Sequence, residues 1–370
     1  MKFSCSKSDL LAGVNIVMKA VPSKTTMTIL ECIIIDTLGL DIMLMANDME
    51  IGIETAVKGN ITEGGIIAAD AKIFSEIVRR LPESEVTVET DSACNIYITC
   101  EKAKFVISGK PGDDFPQFPL VERNESVTIS QFTLREVIKQ TIFSIADNDN
   151  NQMMKGILFD VNGNRLKVVS LDGHRISLRN IDLREEYEAK TAIVPGKTLS
   201  EISKILSGET EDFVNIFFAK SHIVFEFGET VVVSCIIEGE YFKIDHMFSI
   251  PSAVTLNINK KMFMESIDRS LLLIRESDKK PVIFQISDEE MKVKLNTSLG
   301  SMNEELPVEK TGSDLTIAFN PKFIMDALKV IDDETVTLYM STAKAPCFIK
   351  DEDNTYIYLI LPVNFNSTAV

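Results

Sequence analysis

Three stretches of this chain recur at a fixed interval, and an interval restricts the fold more than any local motif does. They are Lys72-Ile-Phe-Ser-Glu-Ile-Val, Lys197-Thr-Leu-Ser-Glu-Ile-Ser and Lys322-Phe-Ile-Met-Asp-Ala-Leu, with leading lysines 125 residues apart, twice. Each follows a short apolar run: Gly65-Ile-Ile-Ala-Ala, Thr191-Ala-Ile-Val-Pro and Leu315-Thr-Ile-Ala-Phe. Each precedes apolar/polar alternation: Val86-Thr-Val-Glu-Thr, Phe213-Val-Asn-Ile-Phe-Phe and Thr335-Val-Thr-Leu-Tyr-Met. Alternation predicts strands. Inside the stretches the apolar positions instead recur at three and four: Phe74, Ile77, Val78, Leu81; Leu199, Ile202, Leu206; Ile324, Ala327, Leu328, Ile331. That spacing predicts a helix with one face on a core.

Two strands close each unit, such as Asn95-Ile-Tyr-Ile-Thr with Lys104-Phe-Val-Ile-Ser. The first half of each unit follows the same plan, with helices expected over 8–19, 134–144 and 260–272. Links fall near Glu122-Arg-Asn-Glu and Ser249-Ile-Pro-Ser. The expectation is an α+β chain of three tandem domains, each of about 120 residues and each made of two β-α-β-β-β halves. Their bounds would be 1–122, 126–249 and 252–370.

Charge then poses a problem. Lys and Arg number 38 against 55 Asp and Glu, a net charge of −17. Such a chain is repelled by a phosphate backbone through its overall field. Yet the second helices carry basic pairs at i, i+7: Lys72 and Arg79, Lys197 and Lys204, Lys322 and Lys329. The first helices add Lys7 and Lys19, Arg135 and Lys139, Lys261 and Arg269. One such pair ordinarily means a solvated helix face. Three equivalent pairs in so acidic a chain place basic charge on corresponding faces and the acidic excess elsewhere. Arranged in an arc, these helices would line a basic wall that follows phosphates without reading bases.

No constellation for catalysis stands out. Gly196-Lys197-Thr198 lies between a strand and a helix, but a phosphate loop needs a glycine five positions earlier, where Thr191 stands. Asp147-Asn-Asp-Asn-Asn-Gln lacks the glycine and the final glutamate of a calcium loop, and reads as a polar surface loop. His174, His222 and His246 have no zinc spacing, and six scattered cysteines form no C-x-x-C pair. No metal and no cofactor are expected. The N-terminus has no apolar signal run, and the most apolar stretch, Ile29 to Ala46, is interrupted by Glu31, Asp36 and Asp41. A cytoplasmic protein is expected.

One segment is less generic: Lys155-Gly-Ile-Leu-Phe-Asp-Val, continuing to Ser170-Leu-Asp-Gly-His-Arg-Ile-Ser. Asp172-Gly173 by itself is a tight-turn pair. The segment resembles the central domain of the bacterial DNA polymerase III β-subunit family, the sliding clamps, which carries G-x-L-F-E and then T-D-G-H-R-L. Tyr358-Leu-Ile-Leu-Pro-Val and Phe319-Asn-Pro-Lys-Phe-Ile resemble the family's Y-V-(I/V)-M-P-M and F-N-x-x-Y-(V/L). With the repeat, the resemblance extends over essentially the whole chain.

The resemblance implies a head-to-tail homodimeric ring that encircles duplex DNA without sequence preference. It would tether the replicative polymerase α subunit, and would also meet a clamp loader and other polymerases and repair proteins bearing clamp-binding motifs. A ring holds DNA topologically, which reconciles basic helices with an acidic chain. The resemblance also implies a peptide pocket between the second and third domains. By motif it would involve Met154, Leu171, Asp172, Gly173, His174, Arg175, Ile176, Phe242, Asn320, Phe323, Pro346, Leu359, Leu361, Pro362 and Val363. Core packing is the competing role for each apolar member. DNA would face Lys24, Lys72, Arg79, Lys139, Lys197, Lys204, Lys322 and Lys329. The chain departs from the family pattern at Leu171, Phe323 and Asn364, and it lacks F-P-D-Y around Phe242. These departures bear on peptide preference. The alternatives are a clamp-fold paralogue that binds partners weakly, or an unrelated cleft enzyme.

Overall fold

The computed structural model describes residues 1–116, 119, 121–146, 151–275 and 280–365. The first repeat runs β1 (Lys2–Ser6), α1 (Lys7–Val17), β2 (Cys32–Asp36), β3 (Ile42–Asn47), β4 (Ile51–Val57), β5 (Gly59–Glu63), β6 (Ile66–Asp70), α2 (Ala71–Arg80), β7 (Glu85–Thr90), β8 (Asn95–Cys100) and β9 (Ala103–Pro111). The second runs β10 (Ser126–Ser130), α3 (Gln131–Thr141), β11 (Gly156–Leu171), β12 (Arg175–Pro195), α4 (Gly196–Ser203), β13 (Phe213–Phe218), β14 (His222–Phe227) and β15 (Thr230–Cys235). The third runs β16 (Val254–Asn259), α5 (Lys260–Leu271), β17 (Val282–Ile286), β18 (Glu290–Thr297), β19 (Gly300–Pro307), β20 (Glu309–Gly312), β21 (Leu315–Phe319), α6 (Pro321–Val330), β22 (Thr335–Met340), β23 (Cys347–Lys350) and β24 (Tyr356–Ile360). The chain is α+β, in three tandem copies of one domain plan.

Strands pass into helices with no loop between them, because the last strand residue caps the helix. Ser6 accepts from Asp9 N at 3.0 Å, Asp70 from Ile73 N at 2.8 Å and Asn259 from Met262 N at 3.0 Å. Each cap satisfies an N–H that the helix cannot, worth about 1 kcal/mol. The buried faces are the expected stripes: Phe74 and Val78 on α2, Leu199 and Ile202 on α4, Ile324 and Leu328 on α6. Gly13 lets α1 approach the sheet, since a Cβ there would meet Val57 Cγ2 at 2.5 Å. In the third repeat Phe263, Phe284 and Phe319 pack ring against ring, with centroids 5.6 and 5.8 Å apart. Burying each ring contributes on the order of 2–3 kcal/mol.

Two compact units result: Met1–Arg135 with Lys197–Ile236, and Glu136–Gly196 with Ile237–Val370. The first holds a sheet of order β10-β13-β14-β15-β4-β3-β2-β6-β9-β8-β7-β1-β5. The second holds β11-β12-β24-β23-β22-β16-β20 and β19-β18-β17-β21. The division cuts through the middle repeat because strand pairing joins each of its halves to a neighbouring repeat. In the first unit β15 pairs antiparallel with β4, from Thr230↔Thr55 to Ser234↔Ile51, and the two buried threonine hydroxyls meet at 2.9 Å. In the second, β12 pairs with β24, from Arg175↔Ile360 to Arg179↔Tyr356.

The apolar run Thr191–Pro195 is the end of the 21-residue β12 and pairs back onto Gly156–Asp160 of β11. Two local expectations are corrected. α4 stops at Ser203, so Lys204 and Leu206 lie in the turn before Gly208, whose φ of +79 no helix admits. Lys7 is buried with its ammonium on Glu83, and therefore adds nothing to an exposed basic face.

Candidate functional site

In the second unit an apolar cavity of about 280 Å³ opens where three chain segments meet. The first is the β11–β12 hairpin. Asp172 Oδ1 accepts from His174 N at 3.0 Å and from Arg175 N at 3.1 Å, which closes the turn. Gly173 takes φ +84, a left-handed value that a side chain would strain. The second segment is the end of β24. Leu361 N donates to His174 O at 2.9 Å, which carries the pairing one residue past the strand and sets Leu361, 38% exposed, on the rim.

The third wall is irregular chain running into a 3-10 turn over Asp245–Ser249, held by Tyr241. Its hydroxyl lies 3.4 Å from Gly156 O and 3.3 Å from Val169 O, and burial pushes its pKa well above the usual phenol range. This anchor buries Ile244 and leaves Phe242 and Met247 exposed at the opening. Below lies a core of Val169, Leu171, Ile176, Leu178, Tyr241, Phe348 and Leu359.

Of the residues expected in a pocket, Met154, Leu171, Gly173, His174, Arg175, Ile176, Phe242, Leu359 and Leu361 line this cavity. Lys243, Ile244 and Met247 line it too and escaped the sequence reading. Their signal was the Tyr-Phe pair opening the segment, which marks a chain that must be pinned to something apolar. The remaining expected residues occupy other positions. Asp172 holds Arg175 Nε at 2.9 Å. Phe323 stacks on the His174 ring, centroids 6.2 Å apart, and lies 4.4 Å beneath the Arg175 guanidinium. Asn320 caps α6, accepting from Lys322 N at 3.0 Å. Val363 N donates to Ala318 O at 2.8 Å. Pro346 and Pro362 are half-buried.

The cavity walls are alkyl and aromatic, with a cationic and imidazole rim, and a volume of this size suits one or two large apolar side chains. Among the described residues no group of three or more His, Cys, Asp or Glu is gathered as a metal would require. The six cysteines are free thiols, and burial raises that of Cys5 to about 12.

The basic residues fall into two classes. Lys24, Lys72, Lys322 and Lys329 are exposed and have no ion-pair partner among the described residues. Others are neutralised nearby: Lys139 by Glu136 at 3.1 Å, Lys204 by Glu201 at 2.7 Å, Arg79 by Glu76, and Lys197 by Asp48. Three of these pairs are i, i+3 contacts, a spacing the basic-pair reading overlooked.

Three family descriptions match the chain in order: DNA polymerase III beta subunit, N-terminal domain, at 1–119; central domain, at 128–243; and C-terminal domain, at 250–364. A protein of Staphylococcus epidermidis named beta sliding clamp is 31% identical over 374 residues, covering 98% of this chain and 99% of that protein. Its Staphylococcus aureus counterpart is 30% identical with the same coverage. A crystal structure described as a DNA polymerase III beta subunit from Eubacterium rectale is 59% identical with a TM-score of 0.96, covering 99% of this chain and 100% of that one. The DNA polymerase sliding clamp of Bacillus subtilis gives 30% and 0.95, with the same coverage. The chain therefore belongs to the DNA polymerase III beta-subunit family, the beta sliding clamps.

Proposed function

We propose that this chain is a DNA sliding clamp, a non-enzymatic processivity factor that encircles duplex DNA and tethers a polymerase to it. The observation that carries the reading is the unbroken succession of N-terminal, central and C-terminal family domains along the chain. The domains are bounded near 122 and 249, and the protein works in the cytoplasm. The apolar cavity takes a short peptide from the polymerase, the clamp loader or a repair protein. The exposed helix lysines face the phosphates.

Closure of the ring by a second copy draws support from two open sheet edges. Among the described residues, 103–108 of β9 pair with β8 on one side only, and β6 takes up pairing at Gly109. Among the described residues β19 pairs only with β18. Open edges are templates for another strand. The first presents Phe105 and Val106, 40% and 61% exposed; near the second lies Leu272, 77% exposed, beside Glu304 and Glu305, which Arg269 and Lys292 already match. Both edges offer apolar surface, and two different surfaces give a head-to-tail contact. Val106→Asp is expected to turn the dimer into a monomer by light scattering; a persistent dimer removes this edge from the interface.

Primed-circle synthesis tests the function. With a clamp loader, ATP and a polymerase of a related bacterium, added chain lengthens the product made per binding event. Unchanged product length contradicts the reading.

A further inference from the structure

Arg175 carries an unusual burden for a residue at a pocket wall. Its side chain is only 9% exposed, yet it holds a full charge. Nε donates to Asp172 Oδ2 at 2.9 Å, Nη1 to Asp326 Oδ2 at 2.7 Å, and Nη2 to Phe143 O. The guanidinium also lies between two rings, 4.4 Å from the Phe323 centroid and 5.4 Å from that of Phe143. A buried cation is tolerated only when its donors are met.

The two carboxylates are not equivalent. Asp172 belongs to the same turn as Arg175, so it can move with it. Asp326 belongs to α6, one turn beyond Phe323, and does not line the cavity. It is the charged tie that fixes Arg175 to a separate element. The neighbouring residue, His174, stacks on Phe323 of the same helix and accepts the Leu361 N–H. Asp326, Arg175 and Phe323 thus set where the His174 ring and the Leu361 rim stand.

We propose that Asp326 is a positioning residue of the cavity: through Arg175 it holds the His174–Arg175 wall in the form that receives a peptide. This rests on the reading of the cavity as a peptide site. Without Asp326, Arg175 keeps Asp172, the Phe143 carbonyl and its two rings but loses its charged tie to α6, so the His174–Arg175 wall is less firmly pre-organised and part of its ordering falls on each binding event.

The test uses the full-length chain and a fluorescently labelled synthetic peptide carrying a Gln and a Leu-Phe pair. Asp326→Asn keeps the side-chain volume and removes the charge; it is expected to weaken the peptide Kd roughly ten-fold, a coupling of the size contacting pairs show. Asp326→Glu is expected to recover part of the loss. The decisive comparison is the same substitution in an Arg175→Gln background, where the effect of Asp326→Asn should vanish. A merely structural role would lower the urea midpoint and leave the peptide loss equal in both backgrounds. Equal loss, or wild-type affinity in Asp326→Asn, overturns the proposal. Failure of the unaltered chain to bind the peptide at all is a different result: it removes the peptide reading of the cavity, and the positioning role with it.

Discussion

The cavity and the basic helix faces use charge in opposite ways. At the cavity one cation is buried between two rings and two carboxylates, and each of these contacts constrains where it stands. On the helices the cations are exposed, and several are already matched by acids of the same helix. A buried charge acts through geometry, and one substitution should matter. Exposed charges act through a screened sum, and only several together should matter.

The largest effect that sharpens this contrast belongs to the rim. Leu361→Ala with Met247→Ala is expected to cost peptide binding about 2–3 kcal/mol in titration, since both side chains are exposed in the free protein and would be covered by ligand. Thermal stability should stay near wild type for the same reason. A large loss of melting temperature with intact binding would make these residues core.

Next come the lysines. Replacing Lys72, Lys322 and Lys329 with Gln is expected to lower the slope of log affinity against log salt for linear duplex by up to about 0.9 per contact. Lys139→Gln with Lys204→Gln should lower it less, because those ammoniums must first leave Glu136 and Glu201. Equal changes would erase the distinction between the two classes.

The smallest effect is a control on exposed charge. The hydrogen bond from Arg269, helped by Ser266, holds the Glu304 carboxyl below its ordinary range. A depressed carboxyl stabilises the fold above its unfolded pKa, near 4.3, and the contribution fades as pH falls through the lower folded value. Arg269 is half exposed, so Glu304→Gln is expected to cost at most about 1 kcal/mol at neutral pH. In urea melts the difference from wild type should shrink as pH drops below 4. A difference that grows toward acid would contradict the assignment.

Much of this architecture was legible in the sequence because it rests on local rules. The stripes of Phe74 and Val78 or Ile324 and Leu328 are periodicities that a core enforces. The turn at Asp172-Gly173 needs one left-handed residue, and glycine announces it. What escaped depends on who the neighbour is. Nothing local to Lys7 says that Glu83 is within reach, and nothing near Asp326 points to Arg175, far earlier in the chain. The pairing of β15 with β4 is likewise invisible, since either strand could have ended its own sheet. Lys243 and Ile244 lie in irregular chain, and Met247 in the 3-10 turn Asp245–Ser249 that follows it, beyond the Tyr241 anchor. Sequence periodicity reveals which face is buried, whereas the partner of that face emerges only from the fold.

The central claim is that the protein holds DNA by enclosing it and needs little affinity for it. The direct measurement loads the chain onto nicked circular DNA with a matched clamp loader and ATP, raises the salt, and follows retention before and after the circle is linearised. Enclosure predicts protein kept on the circle, lost from the linear form and absent without loader. Equal retention on both would mean direct binding, and a chain of net charge −17 would then have to attract DNA by contacts other than enclosure.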